Sequence, residues 1–503
     1  MGKYFMGIDI GTFGSKGALV DESAQVVVQH AVEHQMEIPQ PGYAEHDAEK
    51  TWWGDFCTIS QALIAASGVS PEEIECVGCS TIGPCCLPVD EKLTPLRKAI
   101  LYGIDVRAAE EIAYLENRYG KEAIFERCGT PLTSQSAGAK VLWIKNNEPE
   151  VYKKAAKFVT GSTYLVAKLT GQFVMDHYTA ATWVPMYSME KLDWEDDVSL
   201  FCRRDQLPDC RWSHEVVGTV HEAASRATGL AVGTKVTTGT ADASAEALSV
   251  GVLDPGDMML MYGSSIFIIH VVEQFTKDAR LWAGPYLFPG TYSVAAGMSC
   301  AGTLTHWFHD NFAIDIALEA ERTGKNPYAE MAKLMDGIAP GSDGLVVLPY
   351  FSGERTPIND PKAKGMIFGL NLQHTRGHVY KALLEGVGYG INQHFEIFDA
   401  LEMGTKKVMA VGGGIKNQNW LQSVSDICNR VQYTAKVETG AAYGDALLAA
   451  LGTGFYKDSK EVASLIQMKQ TVVPDPANYC AYAPYREQYH RLYQETKSIM
   501  HQY

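Results

Sequence analysis

Positive charge is what this sequence has least of. Its 59 acidic residues outnumber 43 basic ones, a formal charge of −16 over 503 residues. A nucleic-acid backbone or an anionic membrane surface would be repelled, so neither is expected as a partner. A phosphate-bearing ligand would need local donors or a metal. A bilayer-length apolar run is also missing. The longest candidate, Met258–Val272, is interrupted by Gly263, Ser264, Ser265 and His270. Met1–Lys3 lead directly into a strand-like segment without the features of a signal peptide, so a cytoplasmic location is expected. The 11 cysteines, an odd number, then read as reduced thiols. Cys76-Val-Gly-Cys79 followed by Cys85-Cys86 has the look of a metal knot, but no second pair has zinc-ribbon spacing. Buried small hydrophobes are the expected role.

Material for a core is plentiful: 46% of residues are hydrophobic and 20% charged. The length allows two large domains or about three smaller ones. Strand-like runs (Phe5–Ile10, Ala18–Val20, Val26–Gln29, Val77–Ser80, Leu345–Pro349, Lys407–Val411) alternate with helical patterns (Thr51–Ala66, Lys140–Asn147, His378–Leu401, Trp420–Val431), so the class is α/β. Residues 4–20 read strand, glycine-rich turn, strand, and residues 257–272 read the same way, making each a hairpin candidate. The turn-rich junction Gly251–Gly256 precedes the second hairpin and places a boundary near residue 250, giving domains 1–250 and 251–503.

In Gly7–Gly17 four glycines and two hydroxyls crowd a turn, where glycine permits positive φ and lets N–H groups approach an anion. It is not a P-loop: no lysine stands at the required spacing and a strand follows. Asp9 lies in an apolar strand and needs a partner, either Mg²⁺ beside bound phosphates or the N–H groups of the turn. A third cluster, Gly412-Gly413-Gly414 with Asn417, ends a strand and precedes a helix, where exposed backbone can lie against a nucleotide. Asp242 stands at or near the start of an alanine-rich helix. Aspartate there caps a helix, and it can also accept a hydroxyl proton during phosphoryl transfer.

Together these residues resemble the FGGY family of carbohydrate kinases. The most specific stretch is Gly365-Met-Ile-Phe-Gly-Leu370 with His378-Val-Tyr-Lys-Ala-Leu-Leu-Glu385, which fits the family's C-terminal signature apart from Leu383. Lys140–Asn147 is similar to the core of the N-terminal signature, although Gln135 and Ala137 depart from its upstream part. Gly440–Gly454 is similar to the family's closing helix, and Ser352–Pro357 to a loop of the members acting on xylulose. The resemblance implies two actin-like (ribonuclease H-like) ATPase domains of the hexokinase/Hsp70/actin superfamily, with ATP and Mg²⁺ as cofactors and a small sugar as substrate. It makes Asp242 the general base and sets Asp9 and Asp242 at the Mg²⁺. It places Gly11, Thr12, Lys16, Gly263, Ser264, Ser265, Gly302 and Thr303 at or near the phosphates, and Gly412–Gly414 with Asn417 beside adenosine. A homodimer is compatible with it.

On the substrate side the match changes. Where xylulose kinases of the family carry Met-His and glycerol kinases Arg-Glu, this chain has Gly83-Pro84. Asp105-Val-Arg107 matches the family's Asp-x-Arg, as a sugar-facing pair or an exposed ion pair at a helix start. The expected activity is ATP-dependent phosphorylation of a ketopentose. Ribulose, gluconate or a tetritol is the alternative acceptor, and a non-catalytic nucleotide-binding protein is the alternative class. His306, His309 and Asp310 are read as packing, as are Trp52 and Trp53.

Overall fold

The computed structural model describes residues 2–502. The chain divides into two compact units. The first gathers Met1–Asp254, Val271–Val294 and Val437–Gln467; the second gathers Pro255–His270, Ala295–Lys436 and Met468–Tyr503. A cut near residue 250 thus marks only where the chain first leaves the first unit, and residues 437–467 come back to it.

In the first unit a sheet is built from β1 (Tyr4–Ile10), β2 (Gly14–Asp21), β3 (Val26–Glu33), β4 (Ile74–Thr81), β5 (Val216–Thr219) and β6 (Lys235–Thr237), in the order β5-β6-β4-β1-β2-β3. The short β7 (Thr240–Ala241) also pairs with β4. Strands β1 and β2 form the expected antiparallel hairpin, with Asp9 opposite Lys16. On its other side β1 runs parallel to β4, with Gly7 opposite Gly78 and Asp9 opposite Ser80. Because side chains alternate in a strand, Gly7, Asp9, Gly78 and Ser80 share one face.

That face explains one of the four glycines of Gly7–Gly17. A Cβ on Gly7 would lie 2.0 Å from the Ala442 carbonyl oxygen and one on Gly78 2.4 Å from that of Asp445. The helix Ala441–Gly452 therefore lies with its backbone directly on the strands. On the opposite face, α1 (Gly54–Ser67) crosses Gly17, whose Cβ would meet Ile59 Cγ2 at 2.2 Å. Only Gly11 lies in the turn itself, closed by its N–H on the carbonyl of Gly14 at the start of β2, and none of the four takes a positive φ. Close helix approach, rather than left-handed backbone, is what Gly7 and Gly17 provide. Met6, Ile8, Leu19, Ile59, Leu63 and Val77 form the core around them. Cys76, Cys79, Cys85 and Cys86 are buried here, and burial pushes their thiols up.

The second unit repeats the plan. Strands β8 (Asp257–Tyr262), β9 (Ile266–Val272), β10 (Tyr292–Met298), β11 (Lys407–Val411), β12 (Gln432–Ala435) and β13 (Met468–Val472) run β10-β9-β8-β11-β12-β13. In each sheet the hairpin strand has an antiparallel partner on one side. On the other side come two parallel strands and an antiparallel edge. Helix α2 (Asp242–Ser249) belongs to the first unit, and α3 (Gly302–Phe312), α4 (Arg376–Ala400) and α5 (Gln418–Cys428) to this one. No helix among the described residues is long and apolar enough to cross a membrane.

Candidate active site

In the first unit β7, paired with β4, leads into the helix Asp242–Ser249, which carries the predicted base on its first turn. Asp242 is not its N-cap. Ala241 holds that position without a side-chain bond, and the Asp242 carboxylate accepts the neighbouring Ala243 N–H at 2.8 Å. Burial pushes Asp242 up to about 7, with the charge of Glu246 one turn on adding to the effect. Burial also raises Asp9 well above the usual carboxylate range, and Asp242 adds to it. Asp9 is not satisfied by the turn's N–H groups. Its side-chain partner is the Ser80 hydroxyl at 3.0 Å, and the Lys16 ammonium opposite pulls it back toward ionisation.

Sequence reasoning missed the third carboxylate. Asp445, fully buried on the returning helix, accepts from the same Ser80 hydroxyl at 2.6 Å, while its Oδ1 has no partner. Burial, then Asp9, raises its carboxyl. One hydroxyl hydrogen cannot serve two carboxylates, so Asp9 and Asp445 need either a shared proton or a nearby cation. Glu246 is raised by burial and held back by Lys16 and by the Ala441 N–H at the start of the returning helix. This excess of carboxylate over ammonium fits a divalent cation. No trio of His, Cys, Asp or Glu among the described residues forms a ready metal cage. Mg²⁺ held by one or two carboxylates, waters and phosphates needs no such cage.

Gly83, followed by Pro84, lies against the residue that precedes the base: a Cβ on Gly83 would approach that of Ala241 to 3.2 Å. Burial raises the Tyr178 phenol, and the charge of Asp242 adds to the effect. Thr12 Oγ1 lies 3.2 Å from the Tyr102 hydroxyl. Asp105 and Arg107 are neither exposed nor open. Arg107 donates to Asp105 at 2.7 Å and bridges to Glu45 at 2.8 Å, and its guanidinium lies 3.9 Å over the Tyr43 ring. The Ala44 N–H donates to the same Asp105 oxygen at 2.7 Å. Below them the buried Lys140 ammonium donates to the carbonyls of Leu101 and Tyr102, and burial lowers it to about 8. This network braces the walls of the site, with its polar atoms already spent on the chain.

The second unit holds a cleft of about 800 Å³ lined by Gly263, Ser264, Gly302, Gly413, Gly414 and Asn417, together with Tyr262, Tyr328, Tyr380 and Trp420. Its size and aromatic walls suit a nucleoside. Gly412 makes the required turn at φ 91°, where its backbone passes over Tyr262. Asn417 caps α5 by accepting the Trp420 N–H at 3.1 Å. The Gly302 N–H binds the Gly263 carbonyl at 2.9 Å, and the N–H groups of Ala301 and Thr303 bind that of Ser264 at 2.9 and 3.1 Å. Gly302 and Thr303 thus hold the second turn in place. His306 also lines this cleft, bonded to the Tyr328 hydroxyl at 2.5 Å, whereas His309 pairs with Asp310 at 2.7 Å.

Residues 4–249 match the N-terminal domain of the FGGY family of carbohydrate kinases and residues 258–453 its C-terminal domain. The xylulose kinase of Escherichia coli (strain K12) is 29% identical over 503 residues, covering 99% of this chain and 100% of the relative. The gluconokinase of Bacillus subtilis (strain 168) is 26% identical over 465 residues, 92% of this chain and 88% of the relative. The crystal structure of xylulose kinase from Rhodospirillum rubrum matches with a TM-score of 0.91 at 29% identity, covering 99% of this chain and 100% of that one. With matches running through both units, and the repeated sheet of the actin-like ATPases, the chain belongs to the FGGY family of carbohydrate kinases, enzymes whose phosphate donor is ATP.

Proposed function

We propose that this kinase transfers the γ-phosphate of ATP to a primary hydroxyl of a ketopentose, as a xylulose kinase does, giving the 5-phosphate. The observation that carries the reading is Asp242: a carboxylate on the first turn of its helix, held near neutrality by burial, directly after Ala241, the residue that Gly83 lies against. A base poised near the working pH is what hydroxyl activation needs. Asp242 takes the hydroxyl proton as the oxygen bonds to the γ-phosphorus and the bond to the β–γ bridging oxygen breaks, releasing ADP. Asp9 and Asp242 would hold Mg²⁺, which supplies charge to offset the phosphates. Gly11, Thr12 and Lys16 in one unit, and Gly263, Ser264, Ser265, Gly302 and Thr303 in the other, serve the phosphates. Gly412, Gly413, Gly414 and Asn417 serve the adenosine side.

Asp242→Ala is expected to lower kcat on the best acceptor by about 10²–10⁴-fold, the usual worth of a general base. Undiminished ATP-dependent turnover in that variant would sink the assignment. A second reading is favoured by Gly83-Pro84 and the gluconokinase relative: another acceptor such as an aldonate, ribulose or a tetritol. An aldonate preferred over every ketose would select it.

A further inference from the structure

The first unit's turn is held from behind by two histidines. His34 Nε2 lies 3.1 Å from the Gly11 carbonyl oxygen and His46 Nε2 3.1 Å from that of Thr12. The backbone N–H of His34 takes the next carbonyl, Phe13, at 3.1 Å. Three successive carbonyls are therefore drawn toward the protein. The N–H groups of Thr12 and Phe13 find no partner among the described residues. A turn with its carbonyls engaged and N–H groups unspent presents the positive ends of its peptide dipoles.

Each histidine is itself oriented. The buried Trp52 donates its indole N–H to His46 Nδ1 at 3.1 Å, so His46 carries its hydrogen on Nε2, facing Thr12. Burial, with His34 nearby, lowers His46 to about 4, which keeps that tautomer neutral. His34 Nδ1 meets the Asp55 carboxylate at 2.7 Å, and the same carboxylate oxygen accepts from the buried Ser15 hydroxyl at 2.7 Å. Both ring nitrogens of His34 are thus engaged, one with a carboxylate and one with the Gly11 carbonyl. The two rings meet edge to face, centroids 5.0 Å apart.

We propose that His34 and His46 are positioning residues for nucleotide binding: they hold the Gly11 and Thr12 carbonyls away from the phosphates of ATP, so that the turn offers its N–H groups. This rests on the phosphate role given to the turn above. If the carbonyls swung forward, their negative ends would face the anion, and the loss would fall on nucleotide affinity rather than on the acceptor.

The test is titration of ATP with Mg²⁺, without any acceptor, into wild type, H34L, H46L and H46Q, with acceptor KM measured alongside. A glutamine can accept from Trp52 through its oxygen and donate to Thr12 through its nitrogen, so H46Q should stay within about twofold of wild type. H34L and H46L should each weaken ATP about tenfold, the net worth of one such hydrogen bond, with acceptor KM within about twofold. If H46L fails to fold, H46N, too short to reach both partners, takes its place. The proposal is overturned if H46Q is as weak as H46L or H46N, if the leucine variants bind ATP like wild type, or if wild type does not bind ATP. ATP binding with no sugar turned over would sink the proposed function and leave this inference standing.

Discussion

The two units set a hairpin turn at the same place in the same sheet, and both draw its carbonyls back into the protein. The donors differ. In the second unit they are backbone N–H groups of residues 301–303, which any sequence able to start a helix there supplies. In the first, the side chains of His34 and His46 hold two of the three carbonyls and the backbone N–H of His34 holds the third. The units also differ in charge. Carboxylates Asp9, Asp242, Glu246 and Asp445 crowd the first, whereas the described lining of its counterpart cleft has no carboxylate and is made of glycine, tyrosine, tryptophan and neutral polar groups with the ammonium of Lys416. A duplicated backbone has thus been given two chemistries: one unit concentrates the groups that move a proton and attract a cation, while the other offers surface to a flat, neutral ring.

The largest way to break that contrast is to fill the glycine contacts that hold the returning helix. A Cβ on Gly444 would lie 1.9 Å from the Ala245 carbonyl oxygen, a backbone atom with no freedom to yield. Gly444→Ala is expected to cost about 3 kcal/mol in urea unfolding, with catalytic activity falling as Asp445 leaves its place. An unchanged midpoint would mean that the returning helix does not lie against the helix Asp242–Ser249 at this glycine.

A smaller effect is expected from Asp445→Asn, with the sign set by linkage. Asp445 is raised in the folded protein, so its contribution to stability is full below the unfolded pKa and is lost as pH rises through the folded one. Each unit by which folding raises such a group costs about 1.4 kcal/mol once it ionises. In EDTA, wild type should therefore lose stability relative to the asparagine variant as pH rises above the ordinary carboxylate range. Parallel pH curves would remove Asp445 from the carboxylate cluster. The smallest effect belongs to the second unit. Gly413 has open space around its Cβ position, so Gly413→Ala should shift stability by less than about 0.5 kcal/mol while nucleotide affinity reports whether backbone approaches ATP there.

Local pattern revealed a good deal of this. Both hairpins, the glycine cluster before α5 and the position of Asp242 follow from short-range periodicity and turn chemistry. What stayed hidden depends on residues far apart in the chain. Gly7 and Gly17 read as turn glycines because nothing nearby shows that helices will lie on them. Asp445 is one acidic residue in an alanine-rich helix, and only the return of residues 437–467 to the first unit brings it to Ser80. Asp105 and Arg107 read equally as a ligand pair or an exposed one, and their burial depends on Glu45, Tyr43 and Ala44, about sixty residues upstream. Histidines 34 and 46 carry no motif, and their meaning lies in which carbonyls they face.

The most direct test of the central claim is ADP release on a panel of ketopentoses, aldonates and tetritols, followed by NMR of the product from the best acceptor. The account predicts ATP-dependent phosphorylation of a ketopentose at its primary 5-hydroxyl, abolished to within about 1% of wild type by Asp242→Ala. Phosphorylation at another class of acceptor, or a ketopentose 5-phosphate still formed at the full rate without Asp242, would contradict it.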